Sequence, residues 1–557
     1  MTKKNKLRLA LGVVLLLHLA FRIPGLSQPY HQDEYKWAQI VAVGSPTAGT
    51  IPHPPLSELI YTITDRVFGN GHLRMTPFLF SILNLGLIFL VARKRYGDKT
   101  ALIAAGLFSV SFYSILASLM VDTDGQILPC LFLLGLLAYD RFLDSQERKY
   151  KWSWFSLFIA AMALGMLTKL SFIIPVAVFV LDAAYRERKR INKKVLAYGL
   201  GAAAGLAVVC LLLLLNAHYV FPKFNFFWFF SYTQRFFILG GRNWFQTLIQ
   251  LLKSLMYVSP LLLALLCLAS REILAKTRIF WLHLGATFMF YIVLFDFSIG
   301  ALDRYLQAFV IPLCVISAVV VNEFLFSAGG RLKRWHMAVT MGSALVLFGL
   351  QFLPYVVPPQ HPKAEWLSRL ASLKWNFLFP FSGGSGPLGF YVSFLFVAAC
   401  FIACWTMAVG AFFRPVWRKP LALGIVVVGL VYNFTFTEEY LFGKINGFTP
   451  GLLSGVLAYV GSHPEIETVI TYNDTGTYEL TAMRKYYRRL YVDPMFEASN
   501  IKKMNAFKGY YMVVDFPRIN PQSIYAHYFN TCKAVYHDAS RRINADVYDC
   551  RGAEDIE

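Results

Sequence analysis

MTKKNKLRLALGVVLLLHLAFRIPGLSQPYHQDEY forms residues 1–35 of the chain. Lys3, Lys4, Lys6 and Arg8 precede an apolar run from Leu9 to Phe21; the chain then turns polar through Arg22-Ile23-Pro24 and reaches His31-Gln32-Asp33-Glu34. A basic flank before an apolar run has the form of a signal peptide. No small-residue cleavage site follows, so the run reads as a retained first membrane span. His18 inside it reads as a packed or interhelical polar residue. The acidic pair just beyond the exit is the first of several charged groups placed at the same depth.

Further along, apolar runs long enough to cross a ~30 Å hydrocarbon layer recur. Of 557 residues, 57% are hydrophobic and only 15% charged, well below the quarter charged that soluble domains carry. The formal net charge is +21. On a soluble protein that would suggest a nucleic-acid partner. Here the cations stand in short clusters between apolar runs: Arg93-Lys94-Arg95, Arg148-Lys149, Arg186 to Lys194, Arg271 to Arg278, Arg331 to Arg334 and Arg414 to Lys419. That is the positive-inside pattern, and no nucleic-acid partner is inferred.

Assigning these clusters to the cytoplasm predicts an α-helical polytopic protein of about 13 spans, with the N-terminus inside and the C-terminus outside. The expected spans are 8–26, 73–92, 100–119, 125–143, 153–168, 171–186, 195–216, 246–268, 278–296, 303–325, 336–356, 388–412 and 418–436. The fifth and sixth form a short hairpin divided at Lys169-Leu170. Residues 1–440 make a membrane domain with outer loops at 27–72, 217–246 and 357–387, the last ending in Ser382-Gly-Gly-Ser-Gly386. The second of these loops carries Phe224-Asn-Phe-Phe-Trp-Phe-Phe-Ser-Tyr232, which suits a helix lying at headgroup depth. Residues 441–557 read as a small extracytoplasmic α/β domain. Buried strands are expected at Thr468–Tyr472, Arg489–Asp493 and Tyr510–Asp515.

Six of the eight cysteines lie in apolar spans, where a thiol serves as a small hydrophobe. Cys532 and Cys550 flank two strand-like segments that turn near Ser540-Arg541. Antiparallel pairing about that turn sets them opposite each other, which predicts a disulfide.

Charged groups near membrane depth are functional candidates. Asp33 and Glu34 are the first. They could be solvated loop residues; alternatively Asp33 is a general base toward an acceptor, with Glu34 orienting it or capping the next helix. Asp122-Thr123-Asp124-Gly125 at the end of the third span is the second. An N-cap explains either aspartate singly; two carboxylates one residue apart also suit a divalent metal or an acceptor. The third group is cationic: Lys169, Arg235, Arg304 and His53. Each alone is explained by snorkelling to headgroups. Together on one side they suit a phosphate leaving group. No close metal-ligand pair of histidines, phosphate-binding loop or dinucleotide fingerprint is present; no cofactor is certain, and a divalent metal at the carboxylates is the one candidate.

These positions resemble the class C glycosyltransferase superfamily, and within it the bacterial protein O-mannosyltransferase-like branch that includes the aminoarabinose transferase of lipid A modification. The resemblance covers residues 5–325. It rests on Asp33-Glu34, the step Pro52-His53-Pro54-Pro55-Leu56, Arg74 at the head of the second span, Val121-Asp122-Thr123-Asp124, Thr168-Lys169, Gln234-Arg235-Phe236, and Arg304-Tyr305 before Pro312. It implies an inverting transfer from a polyprenyl-phosphate sugar at the outer face of a cytoplasmic membrane. Asp33 would be the base and Asp124, with Asp122, the second acidic site. Lys169, Arg235, Arg304, His53 and Arg74 would lie near the donor phosphate. The acceptor would be a glycolipid, a glycan or a protein hydroxyl. Relatives often place Glu-Lys-Pro where this chain has Pro52-His53-Pro54; the missing carboxylate weakens a bound metal, and the missing lysine leaves His53 in its place. The alternative from another class is a lipid or lipid-linked sugar flippase. Against it, the chain has neither an obvious internal repeat nor strong midplane charge. A scaffold with an outer binding domain would leave the acidic motifs without a purpose.

Overall fold

The computed structural model describes residues 2–42, 53–188, 205, 208–222, 224–237, 242–297, 303–326, 334–355, 363–381, 388–491, 496–516 and 518–556. The expected Ser382–Gly386 loop end and most of the expected 195–216 span lie outside them. The chain divides into two compact units. The first comprises Met1–Ile23, Trp37–Gln351 and Cys400–Tyr432; the second comprises Pro24–Lys36, Phe352–Ala399 and Asn433–Glu557. The second unit thus starts before residue 441 and takes in two earlier segments, one of which carries Asp33.

The first unit is helical. Its amino-terminal part holds α1 (Lys3–Ala20), the end of α2 (Asp33–Val41), α3 (Pro55–Phe68), α4 (Met75–Tyr96), α5 (Asp98–Val110), α6 (Phe112–Ser118), α7 (Ile127–Asp144), α8 (Arg148–Thr168) and α9 (Ile173–Glu187). After these come α10 (Phe226–Gln234), α11 (Trp244–Val258), α12 (Pro260–Cys267), α13 (Arg278–Met289) and α14 (Val310–Phe326). α5 packs among α1, α4 and α14, and α7 pairs with α8. Among the described residues, six helices are long and apolar enough to cross a membrane, two further pairs are bent, and three apolar helices are shorter.

The bends have local causes. The expected span 100–119 is two helices at 66° to each other, broken at Ser111. A break frees backbone carbonyls that lipid cannot satisfy. Here buried Arg22 donates to the Ser109 carbonyl at 3.0 Å, and also to the His18 carbonyl at 3.0 Å and Ser114 Oγ at 2.9 Å. His18 itself lies 3.0 Å from Ser81 Oγ and 3.3 Å from Ser109 Oγ, an interhelical polar knot. The expected span 246–268 is also two helices, turned by 104°. Pro260 cannot continue α11 but suits the first turn of α12, where Ser259 Oγ accepts from the Leu262 N–H at 3.3 Å.

In the second unit, a hairpin of β1 (Leu378–Phe381) and β2 (Phe390–Ser393) precedes α15 (Phe394–Gly410). The expected span 388–412 therefore begins as a strand. An aromatic, β-branched run such as Phe390-Tyr-Val-Ser393 cannot be told from a span's first turn by hydrophobicity alone. α16 (Arg418–Leu441) follows; both α15 and α16 cross the division between the units.

The carboxyl-terminal part of this unit is a five-stranded sheet. Its strands are β3 (Val469–Tyr472), β4 (Tyr486–Leu490), β5 (Tyr510–Val514), β6 (Lys533–Ser540) and β7 (Ile543–Asp549), in the order β4-β3-β5-β7-β6. β3 is parallel to β4 and β5; β7 is antiparallel to β5 and β6. α17 (Thr449–Ser462) covers one face, where Leu453, Val456 and Val460 meet Val469, Met512, Val514 and Val547. The other face receives Tyr511 and Val513 against Met504, Tyr528 and Phe529. Successive residues of β5 thus feed opposite cores, as a central strand requires. β4 runs Tyr486–Leu490 rather than from Arg489. It is an edge strand, and its two arginines hide the alternation. Cys532 and Cys550 are bonded, with Cα atoms 4.6 Å apart across the β6–β7 hairpin.

Candidate active site

Asp122 and Asp124 lie in the turn between α6 and α7, and the turn is pinned from several elements. Tyr61 of α3 donates its hydroxyl to the Asp122 carbonyl at 2.8 Å. Asn84 of α4 donates to the Gln126 carbonyl at 2.8 Å and its Oε1 at 2.7 Å. Gly125 faces Gln307 and Ala117 so closely that a Cβ would collide with both. Neither carboxylate caps α7, whose N-cap is Gln126. Asp122 Oδ1 accepts from the Thr123 N–H at 2.6 Å instead.

Lys169 reaches this turn from the α8–α9 hairpin. α8 ends there because Lys169 is extended (φ −161°, ψ 142°). The following turn folds Phe172 back onto α8 over Gly165, where a Cβ would enter the Phe172 ring. The Lys169 ammonium donates to Asp124 Oδ2 and lies 3.8 Å from Asp122 Oδ1. Arg304 NH1 approaches Asp122 Oδ2 at 3.4 Å, and Ser171 Oγ donates to Asp124 Oδ1 at 3.4 Å. Both aspartates are buried, while Lys169 and Arg304 keep 14% and 15% of their side chains exposed. The cations therefore face the opening.

This packing separates the two carboxyls. Burial pushes Asp122 up, but Lys169, Arg304 and His53 outweigh it and hold it at about 2. Burial raises Asp124, and the neighbouring Asp122 charge adds to that against Lys169. Lys169 is raised because the two carboxylates outweigh its burial. Like charges sharing one site spread apart in this way.

The cluster opens into a cleft of about 630 Å³, open solvent at its mouth included, whose lining includes Lys169, Asp124, Arg304 and His53. Its walls are aromatic. Phe236 at the end of α10 stacks on Phe295 with centroids 5.5 Å apart, and Phe295 meets Tyr305 at 4.9 Å. Tyr291 meets Tyr305 at 5.5 Å. Tyr291 stands in a π-helical turn, Phe290–Leu294, that ends α13; such turns re-aim side chains at functional sites. The Asp296 N–H donates to the Phe236 carbonyl at 3.1 Å, and Arg242 lies 3.5 Å from Asp296 Oδ2, so two distant segments are clipped into one wall. A second, mostly apolar cavity of about 510 Å³ shares Asp124, Ser171 and Tyr291 with the first and is lined by Phe132, Phe172, Ile311 and Pro312.

The remaining candidates fall elsewhere. Arg235 is the exposed residue after α10; its neighbours Tyr232, Thr233, Phe236 and Phe237 line the cleft and it does not. Arg74 is buried at the head of α4 and does not line the cleft either. On α10 itself, Phe229 is buried while Phe227 and Phe230 are exposed. Asp33 and Glu34 belong to the second unit. Glu34 is fully buried; its carboxylate accepts from the His31 N–H at 3.2 Å while its own N–H donates to the His31 carbonyl at 3.0 Å. One carboxylate thus satisfies a backbone donor just ahead of α2, and a backbone bond closes the same turn. Asp33 keeps 29% exposure and pairs with Lys36 at 2.5 Å.

A divalent ion at the acidic turn would need more oxygen donors than two carboxylates supply. Among the described residues no group of three or more His, Cys, Asp or Glu is placed to hold one. The space between Asp122 and Asp124 is taken by the Lys169 ammonium. Among the described residues, then, the donor set at this turn does not fit a metal.

Residues 52–214 match the family described as dolichyl-phosphate-mannose-protein mannosyltransferase. No curated protein matches the chain in sequence. ArnT from Cupriavidus metallidurans in the apo state matches in structure with a TM-score of 0.52 and 16% identity, over 98% of each chain. The same protein bound to undecaprenyl phosphate matches at 0.52 and 15%, again over 98% of each. The archaeal oligosaccharyltransferase AglB from Archaeoglobus fulgidus, in complex with an inhibitory peptide and a dolichol-phosphate, gives 0.42 and 11%, over 92% of this chain and 70% of that one. The fold is thus shared with ArnT.

One residue with no charge tests how the hairpin that carries Lys169 is packed. Gly165→Ala is expected to push Phe172 off α8 and cost about 1–3 kcal/mol, as overpacking does. Thermal melting of the purified variant checks this, and an unchanged melt would show that the hairpin does not need this packing.

Proposed function

We propose that this chain is a membrane glycosyltransferase that moves a sugar from a polyprenyl-phosphate donor to an acceptor on the extracytoplasmic side of a cytoplasmic membrane, with inversion. One observation carries the reading: a buried pair of carboxylates, cross-linked by Lys169 and flanked by Arg304, lies beside an aromatic cleft that shares lining residues with an apolar cavity. A lipid-linked sugar phosphate needs both halves, a cationic seat for phosphate and apolar surface for its chain. The bound undecaprenyl phosphate of ArnT and the dolichyl-phosphate-mannose of the matched family point to the same donor class.

As the glycosidic bond breaks, negative charge builds on the departing polyprenyl phosphate. Lys169 and Arg304 neutralise it, the guanidinium through paired contacts. Asp122 and Asp124 keep the two cations in place. His53, stacked on Trp37 with centroids 5.5 Å apart, adds a third donor at the mouth. Asp33 accepts the proton of the incoming acceptor hydroxyl or amine, and the acceptor oxygen or nitrogen bonds to the anomeric carbon as the phosphate leaves. Positive-inside counting puts these groups on the outer side and the carboxyl-terminal domain with them.

The test incubates purified full-length protein with radiolabelled polyprenyl-phosphate mannose, pentose and hexuronic acid in turn, with membrane extract as acceptor. Labelled product with stoichiometric release of polyprenyl phosphate is expected for one donor. Movement of intact lipid-linked sugar across vesicles without transfer would replace the reading with a flippase.

A further inference from the structure

The segment proposed to carry the base is built into the carboxyl-terminal domain's unit rather than into the helices around Lys169. Pro24–Lys36 groups with Asn433–Glu557. At its start, buried Gln28 donates Nε2 to the Tyr440 carbonyl at 3.0 Å, at the end of α16. Next, buried Tyr30 meets Tyr478 edge-on, with centroids 4.9 Å apart and planes at 70°. Tyr478 stands on α18 (Thr477–Ala482), the short helix directly after β3. At the far end, Tyr35 is buried as well.

Between these anchors the chain is tightly specified. His31 is buried and its backbone is bonded to Glu34 in both directions. Gln32 holds φ +47°, a left-handed conformation that costs a non-glycine residue and persists only where surroundings impose it. Asp33 is the residue this turn leaves partly open. A fixed, strained turn presenting one carboxylate is what a positioned base requires. The anchors that fix it, Tyr478 above all, come from a domain with no other role in the proposed chemistry.

We propose that Tyr478, with Gln28, acts as a positioning residue for Asp33, so that the α/β domain sets the placement of the base. This rests on the transfer reading given above. Tyr478→Phe keeps the ring edge on Tyr30 and Tyr478→Ala removes it, so the first should stay closer to wild type than the second.

The experiment compares wild type, Tyr478→Ala, Tyr478→Phe and Gln28→Ala as full-length proteins by two readouts. Hydrogen exchange of peptides covering residues 24–41 is expected to quicken at least about tenfold in Tyr478→Ala and Gln28→Ala and to stay closer to the wild-type rate in Tyr478→Phe. In transfer assays, kcat should fall at least about tenfold for the two alanine variants while donor KM stays within about twofold, because a misplaced base acts on the chemical step. Gln28→Ala leaves the α/β core untouched, so it answers the question even if Tyr478→Ala melts early. Unchanged exchange across 24–41, equal losses in Tyr478→Phe and Tyr478→Ala, or a change in donor KM alone would overturn the assignment. Faster exchange in a protein whose wild type transfers no sugar would sink the transferase reading while leaving the anchoring intact.

Discussion

Asp33→Asn is expected to lower the rate of sugar transfer by about 10²–10⁴-fold, the range for removing a general base, with membrane insertion and melting temperature unchanged. The substitution keeps the shape of the side chain and removes its ability to take a proton. Little stability is at stake, since the carboxylate is 29% exposed and its contact to Lys36 joins groups at the surface; such pairs are worth about 0–1 kcal/mol. The neighbouring acid supplies the control. Glu34 is fully buried and spends its carboxylate on the His31 N–H. A glutamine at residue 34 still offers an oxygen there, so Glu34→Gln should keep most of the activity. Glu34→Ala loses that bond and should cost about 1 kcal/mol of local stability. Initial rates at saturating donor, with melting curves for all three variants, make the comparison. If Glu34→Gln were inactive and Asp33→Asn active, the assignment of the base would be reversed.

That division of labour between two adjacent acids shows what a sequence can and cannot disclose. Their position after a first span was legible, because a charged pair at a span exit is costly enough to stand out. Which of them is buried depends on Gln32 turning left-handed, and nothing in the residue type announces that. The turn around Asp122 and Asp124, Lys169 in its hairpin, and Arg304 before the span at Val310–Phe326 were legible for the same electrostatic reason, and they meet at one site. The aromatic wall was not. Tyr291 and Phe295 sit in what reads as an ordinary apolar span, and only a π-helical turn aims Tyr291 at Arg304's neighbour Tyr305. Arg235 and Arg74 do not line the cleft. Order along the chain set them beside cleft residues, but α10 presents Tyr232, Thr233 and Phe236 to the cleft, and Arg235 lies outside that lining. The kinks at Ser111 and Ser259 escaped because hydropathy is blind to direction; Arg22 and Pro260 explain them once the helices are seen. The grouping of residues 24–36 with the α/β domain was hidden for a simpler reason: more than four hundred residues separate Gln28 from Tyr440.

Lys169→Met should be the most disruptive single change in the helical unit, and it separates stability from catalysis. The ammonium bonds Asp124 and lies near Asp122, both buried. Taking away one partner of a buried ionic group costs about 3–5 kcal/mol, because charge is left without compensation. Transfer should also fall, by about 10²–10³-fold, the usual effect of losing a group that stabilises developing negative charge. The pH dependence then distinguishes this from general damage. In the wild type the two carboxyls pull in opposite directions. Asp122 is depressed to about 2, so its contribution to stability is present above its unfolded value and is lost only as pH falls through about 2. Asp124 is raised, so its ionisation costs stability as pH rises. Without Lys169 the burial of both carboxyls faces less opposing charge, and both move upward. Protonating them then relieves the fold, so the melting temperature of Lys169→Met should climb between pH 8 and pH 5 by more than that of the wild type. Adding Asp124→Asn removes the carboxylate that lost its partner. The double variant should recover much of the stability and flatten the pH dependence, as replacing a whole buried pair often does. It should recover none of the activity, because the phosphate still lacks its cation. Recovery of both together would mean that Lys169 serves only to neutralise Asp124, and the donor-phosphate site would have to be sought elsewhere.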